Sequence, residues 1–354
     1  MPTSALRPVP TSVGGRGERF TDPLWGVTVR LSPLETELLR SAPVRRLHLV
    51  AHGGASSITT LQSYTRLEHS LGVLALAAHF RPDDRLLRAA ALLHDVGHLP
   101  FSHSLEGLGG WDHHTIGARL LGTAPLADVL ERHGVAPPDV AGLLDRREPG
   151  VLAPPSGLLG LDHLDSYVRS ARCGARLPVD PAELLGRVRL EGFAVSGDRD
   201  VAEALVTMVR DEALLHTSWD NVAPTAVLQR VVRRLLSADG PGAERTARLT
   251  DDELWAALAA EPGTAAEAAL LRGAPHLVGA TADGRDAPDG AWEFSLRKIY
   301  TAAPLVGGRP VEEAAPVLAE RIALLRRLPT RYRVWWEDGA ADAVPDRRAA
   351  APGR

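Results

Sequence analysis

Apolar side chains recur at helical spacing along most of the chain between residues 20 and 337. Over residues 65–79, Thr65 is a suitable N-terminal cap, and one helical face carries His69, Val73 and Leu76. Residues 85–95 follow two aspartates and are rich in Ala and Leu on nearly every face, a pattern typical of a buried central helix. Gly97 and Pro100 predict its end.

The remaining pattern predicts a mainly α protein with minor β hairpins. Alternating apolar and polar positions predict short strands within 189–197 and 331–336, and Pro- and Gly-rich stretches at 148–160 and 273–291 predict loops. Similar helical spacing predicts further helices at 33–40, 112–122, 124–133, 137–144, 162–172, 181–187, 200–215 and 222–237.

Composition divides the chain into four segments. Residues 1–19 and 338–354 contain little apolar sequence and are expected to be a disordered N-terminal arm and a disordered tail. Between them we expect one continuous domain over 20–240 and a C-terminal helical extension over 241–337. The class is therefore mainly α, a helical bundle with minor β hairpins.

Charge and cysteine content exclude several kinds of protein. The 354 residues carry a formal net charge of −4, so a nucleic-acid-binding surface is not expected. A single cysteine, Cys173, excludes an internal disulfide and a cysteine-ligated metal site. No apolar stretch is long enough to span a membrane, and the N-terminus lacks the apolar core of a secretory signal. We therefore expect a cytoplasmic protein without a membrane partner.

The candidate chemistry lies in residues 92–103, with the sequence Leu-Leu-His-Asp-Val-Gly-His-Leu-Pro-Phe-Ser-His, and in an earlier His69. Two histidines and one or two aspartates can surround a divalent cation. Asp95 would be costly to bury without a partner, and a cation would supply one. His94 and His98 are four residues apart and face one pocket if the helix continues for another turn. Gly97 within that turn indicates that something approaches closely.

These motifs resemble the HD superfamily of metal-dependent phosphohydrolases. The similarity is carried by Arg-Leu-Glu-His-Ser-Leu-Gly-Val at 66–73 and by His-Asp-Val-Gly-His-Leu-Pro-Phe-Ser-His at 94–103. It extends to Asp-Pro-Leu-Trp-Gly at 22–26, Arg-Leu at 46–47 and Leu-Asp-His-Leu-Asp at 161–165. The branch containing deoxynucleoside triphosphate triphosphohydrolases is the most similar, and the resemblance covers roughly residues 20–240.

The resemblance implies one divalent metal ion, either Mn, Fe, Zn or Mg. The implied ligands are His69, His94, Asp95 and Asp162, with Asp165 as the competitor for the last position. Asp162 is favoured because the family motif places an Arg after its second Asp, where this chain has Arg169.

The resemblance also implies residues for substrate binding and proton transfer. Arg66 corresponds to an Arg that contacts substrate phosphate, and His52 is the nearest polar replacement for a family Gln. Asp165, Tyr167 and Arg169 are further candidates for substrate binding. Three pocket histidines would contact phosphate and assist proton transfer, with a carboxylate that orients one of them: His98, His103, His114 and Glu106. His113 is the alternative to its neighbour His114.

The chain departs from its relatives in sugar recognition. Ser166 and Ser170 stand where the triphosphohydrolases have a Tyr and an Asp that hold the sugar 3′-hydroxyl. We therefore expect a metal-dependent phosphohydrolase acting on a nucleotide or related phosphate ester, with altered sugar recognition and little preference for that hydroxyl.

Two other functions stay open at this point. A di-iron oxygenase would use His98 with His103 or His114 for a second metal, and a nucleotide-sensing regulatory protein would need no turnover. The family resemblance also implies that the chain can form a homo-oligomer.

Overall fold

Helices dominate the computed structural model, which describes residues 9–337 except 14, 16, 146–148, 156, 239–241, 283 and 285. The predicted tail 338–354 and residues 1–8, 14 and 16 of the predicted N-terminal arm lie outside the described residues. No helix in the described part of the chain combines the length and the apolar character needed to cross a membrane.

The helices confirm most of the predicted bounds. The structure has them at α1 Pro33–Arg40, α2 Ala42–Arg46, α3 Arg66–Phe80, α4 Arg85–Leu93, α5 His113–Leu121, α6 Leu126–Arg132, α7 Pro137–Leu144, α8 Leu161–Cys173, α9 Pro181–Arg187, α10 Arg199–Thr217, α11 Trp219–Ser237, α12 Ala243–Thr246, α13 Asp251–Ala260, α14 Pro262–Gly273, α15 Val311–Ala314 and α16 Pro316–Leu325.

Three small sheets accompany the helices. The strands are β1 Arg19–Thr21, β2 Thr28–Arg30, β3 Arg189–Glu191, β4 Ala194–Gly197, β5 Val278–Thr281, β6 Trp292–Ser295, β7 Leu305–Val306 and β8 Arg331–Trp336. β1 pairs with β2, β4 lies between β3 and β7, and β8 lies between β5 and β6. The predicted hairpin at 189–197 and the strand at 331–336 are confirmed.

The prediction of a loop over 273–291 is wrong in part. Residues 278–281 form β5, which pairs antiparallel with β8 so that Val278 lies opposite Trp336. A four-residue strand whose partner lies more than fifty residues away has little local signature. The segment 241–337, predicted as a helical extension, is not purely helical. It also contributes the strands β5, β6, β7 and β8.

The core consists of large hydrophobic clusters that pass through the predicted domain boundary at residue 240. One cluster packs α3, α4 and α8 around fully buried residues such as Leu74 and Leu92. A second joins Leu99 and Val231 to Leu254 and Val334. The central α3 and α4 thereby form a rigid base, and the residues at their ends are held in fixed positions.

Candidate active site

Four potential ligands from three helices converge near the centre of the molecule. His69 lies in the first turn and a half of α3, His94 and Asp95 follow the end of α4, and Asp162 lies in the first turn of α8. The Nε2 atom of His69 is 3.2 Å from that of His94 and 3.1 Å from Asp162 Oδ1. His94 Nε2 is 3.4 Å from Asp95 Oδ1. The structure thus brings together all four residues that the resemblance implies as ligands.

The hydrogen bonds on the far side of each ring make this group suitable for a cation. His94 Nδ1 is 2.8 Å from the Ala91 carbonyl, which can only accept, so this nitrogen carries the proton. His69 Nδ1 is likewise 2.8 Å from the Asp165 carboxylate. The Nε2 atoms of the two rings therefore face each other and Asp162, an arrangement that requires a proton or a metal between them.

The pKa of His69 reflects the same need for positive charge. Burial lowers the pKa, but hydrogen bonds with Asp162 and Asp165 outweigh burial and raise it to about 9. Burial raises the pKa of Asp95, yet the nearby Arg66, His94 and His98 hold it well below its usual range. Carboxylates are therefore available at neutral pH, and the donor set of two imidazoles and two carboxylates fits Mn, Fe or Zn, with Mg the least suited to imidazole.

Asp165 and Arg169 lie behind His69 and do not line the cavity. Asp165 is fully buried and accepts hydrogen bonds from the Trp25 indole N–H (2.7 Å) and from Arg169 Nε (3.0 Å) and Nη2 (2.8 Å). Arg169 also donates to Asp22. The expectation that Asp165 and Arg169 bind substrate is therefore corrected: their side chains are occupied in holding the His69 ring.

Gly72, on α3, makes this support possible. A Cβ atom at Gly72 would lie 2.0 Å from Asp165 Oδ1 and 2.2 Å from Arg169 Nη2, so α8 could not pack this closely against any larger residue. The glycine costs helix stability in the middle of α3. Its position explains how a buried carboxylate and guanidinium reach the back of the His69 ring.

A second group of polar side chains lies beside the first. His98, His103, Glu106 and His113 place potential ligand atoms within 4.8 Å of one another. His113 Nδ1 is 2.9 Å from Glu106 Oε2, and its backbone N–H donates to Oε1. His103 Nδ1 is 3.4 Å from Glu106, and His98 Nε2 is 3.1 Å from Asp95 Oδ1. The structure thus places His113, the alternative to His114, against Glu106, while both histidines line the cavity.

Helix α4 ends before His98, so the further helical turn that would place His94 and His98 on one face does not form. A turn instead carries the ring of His98 onto that of His113, with centroids 4.2 Å apart. Gly97 permits this approach, because a Cβ atom there would lie 2.1 Å from the His113 carbonyl oxygen. The close neighbour that the glycine indicated is therefore the start of α5.

The pKa shifts differ between the carboxylate and the histidines of the second group (His98, His103, Glu106 and His113). Burial alone would raise the pKa of Glu106, but hydrogen bonds from His103 and His113 hold it far below its usual range. Burial lowers the pKa of His98 well below 6.5, and the pKa of His103, whose side chain is 41% exposed, is also lowered by partial removal from water. His98 and His103 are therefore neutral near pH 7, and Glu106 is a carboxylate able to orient His113.

Arg66 and His52 line the same cavity. The Arg66 guanidinium donates to Asp95 Oδ2 (2.9 Å), Ser102 Oγ (2.8 Å) and the His52 carbonyl (3.4 Å). These contacts account for three of its five N–H groups. Burial lowers the pKa of His52 well below 6.5, so this ring is neutral. Arg66 therefore orients Asp95, and it has donors left for an anion in the cavity.

The cavity has a volume of about 380 Å³, a size typical of small-molecule sites. Tyr167 lines it, as expected, and so does His163. Tyr300 contacts rings on several sides, with centroids 5.9 Å from His103, 5.6 Å from His163 and 5.3 Å from His216. Sequence reasoning missed a set of lining residues from α8, α10 and the segment after β6: His163, Glu212, His216, Arg297, Lys298 and Tyr300.

Two signals could have identified some of these residues. His163 directly follows Asp162 in the family motif, and Lys298 is the only lysine of the chain. The Lys298 ammonium lies 4.6 Å from the centroid of the Tyr300 ring. No local pattern marks Glu212 or Tyr300, since both reach the cavity through tertiary packing.

Comparison with known proteins identifies the central segment. Residues 66–140 match the HD domain. The chain is 28% identical over 318 residues to the metal-dependent phosphohydrolase cns2 of Cordyceps militaris, which covers 84% of this chain and 87% of that protein. It is also 33% identical over 103 residues to the deoxynucleoside triphosphate triphosphohydrolase SAMHD1 of Xenopus laevis, covering 25% of this chain and 16% of that one.

Solved structures show the same fold. A phosphohydrolase from Bacteroides thetaiotaomicron superimposes with a TM-score of 0.69 at 18% identity, covering 91% of this chain and all of that one. A hypothetical protein from Aquifex aeolicus gives a TM-score of 0.64 at 19% identity, covering 92% and 98%. With this match and the convergent His and Asp side chains, the chain carries an HD domain over residues 66–140 and is a metal-dependent phosphohydrolase of the HD type.

Proposed function

We propose that the protein hydrolyses a phosphate ester of a nucleotide. One observation carries this proposal: three of the four potential metal ligands (His94, Asp95 and Asp162), the Glu106–His113 pair and a set of aromatic rings all line one cavity. Phosphate suits the potential metal ligands and the Glu106–His113 pair, because a cation, Arg66 and imidazole N–H groups all favour negative charge. A flat base suits the rings, since His163 and Tyr167 stack at 5.8 Å with an interplanar angle of 18°, and Tyr300 lies beside them.

His69, His94, Asp95 and Asp162 would hold the metal. When bound, a divalent cation supplies Lewis-acid stabilisation of the charge that develops on the phosphoryl oxygens. Asp165 and the Ala91 carbonyl fix the two imidazoles, so the ligands need little reorganisation. Arg66 holds Asp95 and directs its remaining N–H groups at the phosphate.

The second group supplies proton transfer. Glu106 accepts from His113 Nδ1, which leaves Nε2 as the atom that exchanges a proton with the leaving oxygen. The neutral His98 and His103 rings lie within 4.6 Å of each other, centroid to centroid, and add polar contacts to phosphate without a fixed charge. The choice between His113 and His114 as proton donor rests on the contact of His113 with Glu106.

A substrate panel tests the proposal. Protein reconstituted anaerobically with Mn, Fe, Zn or Mg is incubated with ribo- and deoxynucleoside mono-, di- and triphosphates, and products are identified by mass. p-Nitrophenyl phosphate and a sugar phosphate serve as comparators that lack a base. We expect at least one nucleotide to be preferred by a large factor in kcat/KM. Equal rates for nucleotides and comparators, or no phosphate release, would overturn the nucleotide assignment.

A second candidate, a di-iron oxygenase, is favoured by one contact. His98 Nε2 lies 3.1 Å from Asp95 Oδ1, so Asp95 connects the two groups, and His98 and Asp95 would help to hold a second metal. Hydrolysis is preferred because Glu106 and His113 form a hydrogen-bonded pair suited to proton transfer. The number of metals bound per chain separates the two.

A further inference from the structure

Asp251, at the start of α13, binds the backbone of two loops that border the cavity. Its Oδ2 accepts from the Ala51 N–H (2.8 Å), and its Oδ1 accepts from the Phe101 N–H (2.7 Å). Ala51 directly precedes His52, and Phe101 lies two residues before His103; both histidines line the cavity. One carboxylate of the C-terminal segment therefore joins two stretches of the cavity wall that are distant in the sequence.

Asp251 is not needed to cap its own helix. Thr250 is the cap: its hydroxyl accepts from the Glu253 N–H (3.3 Å), and its own N–H donates to the Glu253 carboxylate (2.8 Å). Burial raises the pKa of Asp251 to about 6, so the carboxylate is ionised at neutral pH although burial opposes its charge. A partly buried charge that serves loops instead of its own helix indicates a role in holding those loops.

The turn at Phe101 and Ser102 requires such support. Both residues have a φ of 52°, in the left-handed region that side chains other than glycine rarely occupy. A conformation of this kind persists only where the surrounding structure enforces it. Asp251 fixes the Phe101 N–H, and the Trp255 ring packs against the Phe101 ring with centroids 5.4 Å apart. Helix α13 thus holds the turn through a carboxylate and through a tryptophan.

Arg46 fixes the segment that precedes α13. Its guanidinium donates to the carbonyls of Arg248 (2.7 Å), Leu249 (2.5 Å) and His98 (2.8 Å). Burial lowers the pKa of Arg46 to about 10, and the nearby Asp251 opposes this shift, so the guanidinium is charged at neutral pH. The backbone just before Asp251 is therefore tied to the same part of the molecule as His98, and the position of the carboxylate is set.

The two loops meet at Arg66, the residue proposed to contact phosphate. Ser102 Oγ donates to the Ala51 carbonyl (2.6 Å) and accepts from Arg66 Nε (2.8 Å). The Arg66 guanidinium also donates to the His52 carbonyl. Ala51 is thus bound through its N–H by Asp251 and through its carbonyl by Ser102. Two of the contacts that orient the guanidinium therefore come from the loops that Asp251 joins.

We propose that Asp251 is a positioning residue for Arg66, because it fixes the two loops that direct the guanidinium at the phosphate of the substrate. The inference rests on the proposed contact between Arg66 and phosphate, and it does not depend on whether the substrate is a nucleotide. It gives the C-terminal segment 241–337 a part in the site, although the HD domain match ends at residue 140.

The test measures the binding of inorganic phosphate, which requires no turnover. Its dissociation constant is determined by calorimetry on protein loaded with one metal, for the wild type, Asp251→Asn, Arg66→Lys and the double variant. Asparagine keeps the shape of aspartate, but its NH₂ group would face one of the two backbone N–H groups in place of an acceptor. Glu253→Gln is the matched control, because Glu253 also accepts from a backbone N–H in the first turn of α13, but that N–H belongs to Thr250.

Asp251→Asn should weaken phosphate binding about tenfold while the metal stays bound, because a displaced guanidinium loses the geometry of its contact. Arg66→Lys should weaken it at least as much, since the fork is lost. The double variant should be no weaker than Arg66→Lys alone, because both residues act through one contact. Glu253→Gln should bind phosphate within about twofold of the wild type, even if its melting temperature falls.

Unchanged phosphate affinity in Asp251→Asn, or losses that add in full in the double variant, would overturn the inference. Equal losses in Asp251→Asn and Glu253→Gln would also overturn it, since the stability of α13 would then explain both. If Asp251→Asn does not fold, Asp251→Glu takes its place, because it keeps the charge and displaces it by one methylene group.

Failure of the proposed phosphate contact looks different. In that case the wild type binds no phosphate, or Arg66→Lys binds it as well as the wild type does. The positioning role of Asp251 is then overturned together with the contact of Arg66.

Discussion

The four potential metal ligands (His69, His94, Asp95 and Asp162) and the second group (His98, His103, Glu106 and His113) lie side by side but are built differently. In the first, His69, His94 and Asp95 each have a buried partner on the far side, namely Asp165, the Ala91 carbonyl and Arg66. In the second, His103 and His113 share one carboxylate, Glu106, and the Nδ1 atom of His98 has no hydrogen-bond partner among the described residues. The difference fits a first group oriented in advance for a charged ion and a second group arranged around a single carboxylate, as proton transfer requires.

The largest expected effect comes from Asp95→Ala. Removing the carboxylate takes away a ligand and leaves Arg66 buried without its partner. We expect loss of bound metal and a fall in kcat on the order of 10⁴-fold, because residues that act as a unit fail together. Metal analysis and phosphate release measure this. Asp95→Asn serves if the alanine variant does not fold, and full metal occupancy with the wild-type rate would refute the assignment.

Glu106→Gln should reduce turnover without releasing the metal. The amide cannot stabilise a charged His113, so kcat should fall about 10²-fold, as for a lost general acid–base contribution. The same variant should keep the metal content of the wild type. Loss of metal in Glu106→Gln would show instead that the second group holds an ion.

Asp165→Asn should weaken metal binding through the orientation of His69. We expect about 10- to 100-fold lower affinity, with kcat near the wild-type value at saturating metal. Asp22→Asn is the matched control, because Asp22 contacts Arg169 but not His69. Equal losses in both variants would mean that the network stabilises the fold and does not orient the ligand.

Metal affinity should also depend on pH. The metal must displace the proton from His69, whose pKa is raised to about 9 in the metal-free protein. Apparent affinity should therefore rise about tenfold per pH unit below that pKa and level off above it. Titration against a competing chelator between pH 6.5 and 9.5 measures the slope. A flat profile would show that no proton is displaced from His69.

The sequence predicted the parts of the site that lie close together along the chain. The run around His94 and the Thr65-capped helix carry local signals, and both appear where expected. The selection of His113 over His114 depends on where α5 begins relative to Glu106, which neighbouring histidines do not reveal.

Other features depend on contacts between distant segments. Asp165 looked like a substrate ligand because its motif spacing does not show which side of His69 it occupies. Glu212 reaches the cavity only because α10 packs on α8, and β5 forms only because β8 pairs with it. Such pairings follow from tertiary packing and leave no periodic pattern.

The most direct test of the account is the number of metal ions per chain in the wild type and in His113→Gln, after anaerobic reconstitution and removal of loosely bound ions. The account predicts one ion in both proteins, with turnover lost only in the variant. Two ions in the wild type and one in His113→Gln would contradict it, because the second group would then be a metal site and not a proton-transfer pair.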